Sequence, residues 1–504
     1  MKLISRWSVI LLVFLGAAWP AFAQTPRIDP AGVPGALFIC GDRDVSAAAF
    51  VRFFELAGGA KAKVAVIHAH DEKSAATVLE GLSMHAKRLD AAAPRLLTWK
   101  DAKAALPELT GVWLIAGNDR RAWEDEVATN MLRAECLALL KRPGVVAVSG
   151  RASALIGPGA LKLLPVVDHA WSEKKKPFYD GVVTIQLTPD AALEIRGRTL
   201  SAVGPGATHL VHWSKGDAVR SVKLEGKTNE DLTAWLRAAR DRSENFPPAR
   251  PEVPFVEKGM LVIVGGGGSP DNLYTKFVEY AGGAGKANIV IFPTASEPIV
   301  KRESLAVLFK KAGAKKATLL YGKTQAEVES KEFLDTLKEA TGLWFDGGRQ
   351  WRFVDCYENT KALPLMFDVL NRGGVIGGTS AGATIQGDYL ARGGVFNNVD
   401  IRYEGYERGL GFLKGVAIDQ HFTQRKRHAD MTQLMKIHPQ YLGIGIDEAT
   451  ALVVKGSIAD VIGKGKVHFY DTNRKFDKGE SDYEALSAGG RYDLTARKIL
   501  STEK

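Results

Sequence analysis

Short apolar runs alternate with longer amphipathic stretches along most of the chain. The runs "LVIV" (261–264), "NIVIF" (288–292) and "GLWF" (342–345) have the length and composition of buried strands. The stretches "NLYTKFVEYAG" (272–282) and "ALPLMFDVLNRGG" (362–374) have helical spacing. This alternation predicts an α/β fold in which helices cover both faces of a mostly parallel sheet. In such folds, functional sites gather at the carboxyl ends of the strands.

The same order of runs occurs twice. Residues 35–70 match 259–295 almost residue for residue, and "GVVAVSGRASALIG" (144–157) matches "GVIGGTSAGATIQG" (374–387) at an offset of 230. A tandem duplication explains both matches and the length of 504 residues. We therefore predict two homologous domains.

The repeats and the Pro-rich stretch "ENFPPARPEVPF" indicate the domain boundaries. We predict a first domain at 24–243, an extended linker at 244–256 and a second domain at 257–504. The residue numbers of matching positions in the two copies differ by 230 at residue 157 and by 259 beyond residue 190, which is an increase of 29 residues. The first copy therefore lacks a counterpart of about 391–419.

The first 23 residues have the three-part pattern of a secretory signal peptide. Lys2 and Arg6 precede an apolar run, and "AFA" stands before Gln24. The apolar run is too short to span a bilayer comfortably. We expect an exported protein, periplasmic or secreted, that is not a membrane protein.

Composition adds few candidate sites. Three scattered cysteines without a CxxC motif predict buried apolar residues, although their number would permit one disulfide. The net charge of +10 is spread along the chain, and no nucleic-acid-binding module accompanies it, so we expect a solvated surface and no nucleic-acid partner. His68 and His70 have no third ligand nearby in the sequence. We predict neither a metal nor another cofactor.

"GTSAG" (378–382) fits G-x-S-x-G, a sharp turn between a strand and a helix that exposes a nucleophile. Glycines permit the tight turn, and the N–H of Ala381 can face a developing oxyanion at the helix N-terminus. A plain turn serine is the alternative interpretation. A serine nucleophile also needs a base that a third group orients.

Comparing the two copies selects the partners of Ser380. Gly150 stands opposite Ser380, and Pro189 stands opposite Glu448. The segment "DQHFTQRKRH" (419–428) has no convincing counterpart in the first copy. The first copy thus keeps the apolar framework but lacks a complete Ser/His/Glu set, so we predict that it is not catalytic.

"GGTSAGA", "DQHF", "GIDE" and "DGGRQ" together resemble the cyanophycinase group of serine peptidases, relatives of dipeptidase E with a glutamine-amidotransferase-like fold. The resemblance covers 257–500. It implies Ser380 as nucleophile, His421 as base, Glu448 rather than the adjacent Asp447 as its orienting carboxylate, and Gly348 beside Ala381 in the oxyanion hole. It also implies a substrate pocket lined by Gln350, Asp419, Gln420, Arg425 and Arg427.

Two positions depart from the family pattern. Arg349 stands where the family has asparagine, and Asp430 where an enzyme acting on cyanophycin is expected to have arginine. An acid at position 430 can pair with a substrate guanidinium. "VGGGGSPDN" (264–272) invites a dinucleotide-binding interpretation, but Pro270 occupies the last glycine position of G-x-G-x-x-G, so we interpret it as an exposed-backbone loop beside the site.

The sequence therefore predicts an exported serine hydrolase that acts through an acyl-enzyme, and the resemblance implies that its substrate is cyanophycin, cut to β-Asp-Arg dipeptides. A peptidase acting on another small peptide or isopeptide is the nearest alternative, and a non-catalytic periplasmic binding protein is the alternative from another class. A third interpretation treats the first copy as a binding half that delivers polymer, or as the partner of the second in an intramolecular pseudo-dimer. Homo-oligomers are compatible with the sequence too.

Overall fold

The computed structural model describes residues 28–41, 45–68, 71–115, 126–149, 167–170, 182–214, 217–226, 229–297, 303–477 and 479–501. The predicted signal peptide, His70 and Gly150 lie outside the described residues. In the part of the chain that is described, no helix is both long and apolar enough to cross a membrane.

The first half of the chain alternates strands and helices up to residue 149 and then consists mainly of strands. In chain order its elements are β1 (Val33–Cys40), α1 (Ala47–Leu56), β2 (Val64–His68), α2 (Glu72–Leu89), β3 (Arg95–Thr98), α3 (Trp99–Ala105), β4 (Gly111–Ile115), α4 (Glu126–Lys141), β5 (Val145–Ser149), β6 (Val167–Ala170), β7 (Val182–Leu187), β8 (Ala192–Gly197), β9 (Thr199–Val203), β10 (Thr208–Ser214), β11 (Asp217–Leu224), β12 (Asn229–Asp231) and α5 (Leu232–Ser243).

The second half starts at Val256 and repeats this alternation. Its elements are β13 (Val256–Val264), α6 (Leu273–Tyr280), β14 (Asn288–Phe292), α7 (Glu303–Lys311), β15 (Lys316–Leu319), α8 (Gln325–Val328), α9 (Lys331–Lys338), β16 (Gly342–Phe345), α10 (Trp351–Tyr357), α11 (Ala362–Asn371), β17 (Val375–Thr379), α12 (Ala381–Thr384), β18 (Gly387–Leu390), β19 (Leu413–Gln420), α13 (His428–Ile437), β20 (Leu442–Ile446), β21 (Thr450–Gly456), β22 (Ile458–Gly463), β23 (Lys466–Tyr470), β24 (Glu484–Ser487), β25 (Arg491–Asp493) and β26 (Lys498–Ser501).

Each half is built around a large mixed sheet. The strand order is β3-β2-β4-β5-β1-β8-β9-β12 in the first half and β15-β14-β16-β17-β13-β21-β22-β25-β26 in the second. In the first sheet the strands from β3 to β1 pair in parallel, and in the second sheet those from β15 to β13 do so. From β1 and β13 onward, the remaining strands pair antiparallel. The predicted α/β class with parallel strands is confirmed, and the antiparallel strands at one edge are an addition that the sequence pattern did not predict.

The registers of the two sheets correspond residue by residue. Cys40 pairs with Ser149 and Ala192, and Val264 in the same place pairs with Thr379 and Ala451. These pairings reproduce the offsets of 230 and 259 between the sequence repeats. The shared strand order supports common descent of the two halves, which stays a prediction.

Helices cover both faces of each large sheet. In the second half, Phe277 of α6 and Phe309 of α7 pack on one face, while Phe333 of α9 and Met366 of α11 pack on the other. The apolar periodicity of these helices explains this packing because each buries one stripe against the strands. The three cysteines are buried and form no disulfide.

A second, smaller sheet extends each half. Its order is β6-β7-β10-β11 in the first half and β18-β19-β20-β23-β24 in the second. In the second half, strands β17, β19 and β20 lead to the residues at 380, 421 and 448. Parallel neighbours in each sheet end at the same edge, so these three positions can meet.

Candidate active site

Ser380 occupies the turn between strand β17 and the short helix α12. Its backbone has φ 55° and ψ −115°, a conformation that non-glycine residues rarely adopt and that clusters at functional turns. The Ser380 N–H donates to the carbonyl of Val264 at 3.0 Å and holds the turn against β13. A Cβ at Gly382 would overlap the carbonyl of Phe345, so only glycine permits this close approach.

His421 lies within hydrogen-bond reach of Ser380. The distance from Ser380 Oγ to His421 Nε2 is 3.0 Å. His421 follows directly after β19, has φ 49°, and its N–H donates to the carbonyl of Gly265 at 2.8 Å. The backbone hydrogen bond and the burial of the residue hold the imidazole in place beside the serine.

Glu448, and not Asp447, contacts the second nitrogen of this imidazole. Its Oε1 lies 2.5 Å from His421 Nδ1. A carboxylate at this position accepts a hydrogen bond from Nδ1–H, which keeps the proton on Nδ1 and leaves Nε2 with a lone pair directed at Ser380. The Glu448 N–H in turn donates to Gln424 Oε1 at 3.0 Å.

Asp447 points away from the imidazole and serves the surrounding loops. It accepts hydrogen bonds at 3.0 Å from the backbone N–H groups of Thr423 and Lys466, and His468 lies 3.4 Å away. Burial opposes ionisation of Asp447, but His468 and these hydrogen bonds outweigh it and hold the carboxyl pKa well below its usual range. Asp447 is therefore an ionised structural acceptor.

The glycine-rich loop after β13 packs against both His421 and Glu448. A Cβ on Gly266 would lie 2.5 Å from His421 Nε2, and a Cβ on Gly267 would overlap the Glu448 carboxyl group. Both glycines have positive φ, 89° and 61°. The loop thus lies beside the site with exposed backbone, as predicted, and its missing side chains leave the volume that the imidazole and carboxylate fill.

The loop 346–350 runs beside Ser380 on its other side. A Cβ on Gly347 would lie 3.9 Å from Ser380 Oγ. Gly348 has φ 147°, and the next N–H, that of Arg349, donates to the carbonyl of Ala295 at 2.8 Å. This turn places Gly347 beside the serine and Gly348 against the backbone of Ala295.

Several residues predicted to line the substrate pocket take part in a buried polar network. Asp419 is fully buried and accepts from Arg392 Nε at 2.9 Å and from an Arg427 guanidinium nitrogen at 2.8 Å. The Gln350 amide nitrogen donates to the carbonyls of Ala391 and Arg392 at 2.9 and 2.6 Å. These side chains support the site wall by holding the chain near residue 391 against β19.

Two other predicted pocket residues have polar groups that are not engaged in this network. Arg425 is exposed, and its guanidinium forms no ion pair with any described residue. Gln420 is buried, and its Oε1 has no hydrogen-bond partner among the described residues. An unpartnered buried carbonyl is costly unless a ligand or water satisfies it.

The two positions that depart from the family pattern are both engaged within the protein. A guanidinium nitrogen of Arg349 donates to the carbonyl of Gly394 at 2.7 Å. One carboxylate oxygen of Asp430 accepts from Arg392 at 2.6 Å. A buried arginine of the same half therefore occupies this oxygen, and pairing of Asp430 with a substrate guanidinium stays a prediction.

Comparison with known proteins adds to this geometry. The model of peptidase family S51 matches residues 260–462. A cyanophycinase from Geminocystis herdmanii is 33% identical over 226 residues, which is 43% of this chain and 82% of the relative. A cyanophycinase from Trichormus variabilis is 30% identical over 269 residues, or 49% of this chain and 89% of the relative. The chain belongs to peptidase family S51.

Solved structures of peptidases are also similar to this chain. A peptidase from an acI-B1 actinobacterium is 24% identical with a TM-score of 0.37, covering 47% of this chain and 97% of its own. A putative peptidase E protein from Listeria monocytogenes is 18% identical with a TM-score of 0.30, and the match covers 41% of this chain and 98% of that protein. Family membership makes the chain a serine-type peptidase, which favours the enzyme over the inert binding protein.

The histidine of this peptidase is disposed toward its neutral form. Burial of the imidazole lowers the pKa of His421 below its usual value, and the positive charge of Arg425 lowers this pKa further. The hydrogen bond to Glu448 acts in the opposite direction and raises the pKa, but it does not outweigh burial. Burial likewise lowers the pKa of Arg427 to about 10, with nearby Arg392 and Arg425 adding to the effect and Asp419 opposing it. Near neutral pH the imidazole is uncharged and can accept a proton from Ser380.

Sequence reasoning missed Arg392, which links more parts of this peptidase than any predicted pocket residue. It has φ 55°, is 3% exposed, and contacts both Asp419 and Asp430. The sequence held one signal: Arg392 lies in the segment of about 391–419 that the first copy lacks. An arginine in "ARGG" otherwise resembles an ordinary loop residue.

Proposed function

We propose that this S51 peptidase hydrolyses amide bonds through an acyl-enzyme on Ser380, with cyanophycin as its substrate. The observation that carries the proposal is the continuous hydrogen-bonded series from Ser380 Oγ through His421 to Glu448. This series is the arrangement that nucleophilic serine chemistry requires.

The proposed reaction follows from these contacts. His421 Nε2 takes the Ser380 hydroxyl proton while Oγ attacks the amide carbonyl, and Glu448 stabilises the imidazolium that forms. The N–H groups of Ala381 and Gly348 receive the negative oxygen of the tetrahedral intermediate. The imidazolium then protonates the departing amine, and a water molecule that His421 deprotonates releases the acyl group from Ser380.

Two observations support cyanophycin as the substrate. Several relatives at 30–33% identity are cyanophycinases. Cyanophycin consists of polyaspartate that carries arginine on its side chains, so each unit presents a carboxylate and a guanidinium. Arg425 offers an exposed cation to the carboxylate, and the unpartnered Oε1 of Gln420 can accept from a guanidinium N–H.

Another small peptide or isopeptide is the second candidate substrate. It is favoured by Arg349 and Asp430, which differ from the family pattern at two positions near the site. A peptide with an acidic group would suit the excess of arginines better than one with a guanidinium.

The decisive experiment incubates the purified protein with cyanophycin and, separately, with several β-aspartyl dipeptides, and identifies the products by mass spectrometry. Release of β-Asp-Arg from the polymer supports the main proposal. Cleavage of only the small peptides supports the second candidate. A lack of hydrolysis of every substrate, together with no covalent adduct at Ser380 after treatment with a fluorophosphonate, would contradict the mechanism.

We further propose that residues 257–504 are the catalytic domain and 24–243 a non-catalytic copy joined by the linker 244–256. Pro189 in the first half occupies the place of Glu448 in the second, just before strands β8 and β21, respectively. Equivalent backbone hydrogen bonds mark the correspondence: the Gly41 N–H donates to the Ala191 carbonyl, and the Gly265 N–H donates to the Thr450 carbonyl. Export rests on the signal-like pattern of residues 1–23 alone.

The charge of Arg425 should set the lower pH limit of activity. In Arg425→Gln the loss of a nearby cation raises the pKa of His421, and histidine must be neutral to accept the serine proton. We expect the acidic limb of the kcat/KM profile to move to higher pH by about half a unit, and less at high salt.

The same profile for Arg491→Gln is the control, because Arg491 pairs with Asp460 on the surface at 2.7 Å. A shift of the Arg425→Gln limb to lower pH, or an equal shift in both variants, would refute this electrostatic role.

A further inference from the structure

Helix α5 of the first half is buried on all sides. Every residue from Leu232 to Asp241 is buried, whereas a helix on a domain surface normally buries one stripe. Leu232, Trp235 and Leu236 pack into the core of the first half, while Ala234 belongs to the core of the second half. The helix is therefore shared between the two halves.

The face of α5 toward the second half carries arginines that meet buried carboxylates. Arg237 Nε donates to Glu358 Oε2 at 3.0 Å and another Arg237 nitrogen binds Asp355. Arg240 donates to Glu358 Oε1 at 2.7 Å, and Arg242 to Glu407 Oε2 at 2.5 Å. In these pairs the positive charges come from the first half and the negative charges from the second, while Arg408 of the second half makes the reverse pairs with Asp241 and Glu244 at 3.3 and 2.9 Å.

Arg198, in the turn between β8 and β9, completes this network. It donates to both oxygens of Asp231, the N-cap of α5, and to Asp355 Oδ2 at 2.7 Å. Its guanidinium also stacks over Trp351, 5.3 Å from the ring centre. Tyr406 lies between the arginines and donates its hydroxyl to Asp355 at 2.7 Å.

The carboxylates belong to the parts of the second half that form the site. Asp355 lies in α10, which begins immediately after the loop 346–350 that contains Gly348. Glu407 accepts from Arg242 through one oxygen, and its backbone carbonyl accepts from the Leu390 N–H at 2.7 Å. Contacts with the first half are thus made next to the loop 346–350 and next to the chain near residue 391.

A short series of contacts leads from there to the catalytic histidine. A Cβ on Gly393 would overlap the carbonyl of Tyr406, so the two backbones touch. The adjacent Arg392 binds Asp419, which stands two residues before His421. Gln350 binds the carbonyls of Ala391 and Arg392 and closes the connection between the two loops.

Most of the second half's contacts with α5 outside α10 come from a segment that the first copy lacks. Glu404, Tyr406, Glu407 and Arg408 all lie within about 391–419, and Gly405 touches the backbone of Ala234. The contact between the halves is therefore asymmetric, because only the second half contains this segment.

We propose that the first half is a positioning domain. Its Arg198 and Arg237 fix α10 and the chain around Tyr406. As a result, the loop 346–350 and the chain near residue 391 keep their places beside Ser380. The proposal rests on the proposed function, since it assigns a role in that reaction. Displacement of catalytic groups by about 1 Å through a distant change can lower the rate about 100-fold.

The test uses the full chain with Arg237→Met. We expect kcat to fall by about 10- to 100-fold with a smaller change in KM, when it is measured well below the unfolding temperature. Fluorophosphonate labelling of Ser380 should slow in parallel, and amide hydrogen exchange should increase across 346–357. The control is Arg52→Met, the same substitution at an arginine whose printed hydrogen bonds go to Glu194 and Glu55 of the first half, and it should leave kcat unchanged.

Tyr406→Phe is the second variant in case Arg237→Met does not fold, because it removes one hydroxyl and little packing. A fall in kcat by severalfold is expected. If either folded variant has a lower Tm but the wild-type kcat and wild-type exchange at 346–357, the contact only joins the halves and the proposal is overturned. If the wild-type protein itself neither hydrolyses substrate nor labels at Ser380, the proposed function fails, and the exchange measurement still tests the positioning role.

Discussion

Ser380→Ala is expected to abolish hydrolysis, with kcat lower by on the order of 10⁴- to 10⁶-fold. Alanine has no oxygen to attack the carbonyl, so no acyl-enzyme forms. The oxyanion N–H groups and the substrate contacts remain, so substrate should still bind. Product release from cyanophycin, followed by mass spectrometry over hours, measures the loss.

The same substitution should leave the fold intact. Serine and alanine are equally unfavourable at φ 55°, and the hydroxyl contacts only His421 among the described side chains. We expect a change in the free energy of unfolding within about 1 kcal/mol, measured by denaturant titration. Ser457→Ala, a half-buried turn serine at the far end of β21, is the matched control and should retain both turnover and fluorophosphonate labelling. Full activity of Ser380→Ala would refute the mechanism.

Glu448→Gln should lower kcat by on the order of 10³- to 10⁴-fold while Asp447→Asn has a small effect on the rate. Glutamine has nearly the shape of glutamate, but its amide nitrogen can donate to His421 Nδ1 and so favour the tautomer that has its proton on Nε2. That tautomer cannot accept the serine proton. Steady-state kinetics of the two variants side by side separates these adjacent carboxylates.

Asp447→Asn should instead lower stability by about 1 to 3 kcal/mol. Asp447 accepts two backbone N–H groups, one on each oxygen, and an asparagine can accept on only one side. Denaturant unfolding measures the cost. If Asp447→Asn loses activity and Glu448→Gln retains it, Asp447 is the orienting carboxylate and the assignment made from the contacts is reversed.

Much of the site was predictable because the two copies differ where the chemistry lies. Ser380, His421 and Glu448 occupy positions at which the first copy has glycine, no counterpart and proline, respectively. Each also follows directly after a strand or stands in the turn before one, so the sequence pattern and the parallel sheet place them at one edge. Their hydrogen-bonded contact in the structure agrees with this expectation, and their catalytic roles stay predictions.

The supporting contacts were not predictable, because they join segments far apart in the chain. Nothing in "LTAWLRAARDRS" distinguishes Arg237 from a solvated helix residue until Asp355 and Glu358 are seen opposite it. Likewise Gln350 resembled a pocket residue, whereas its amide is used by two backbone carbonyls. Periodicity indicates which face of a helix is apolar, but it does not tell which distant charges will cover the other face.

The charge arrangement at α5 limits how this peptidase can be shortened. A chain starting at residue 257 would expose Asp355, Glu358 and Glu407 without the arginines of the first half that bind them. A minimal enzyme would therefore need neutral replacements for these acids, or a separate basic protein as a chaperone-like subunit.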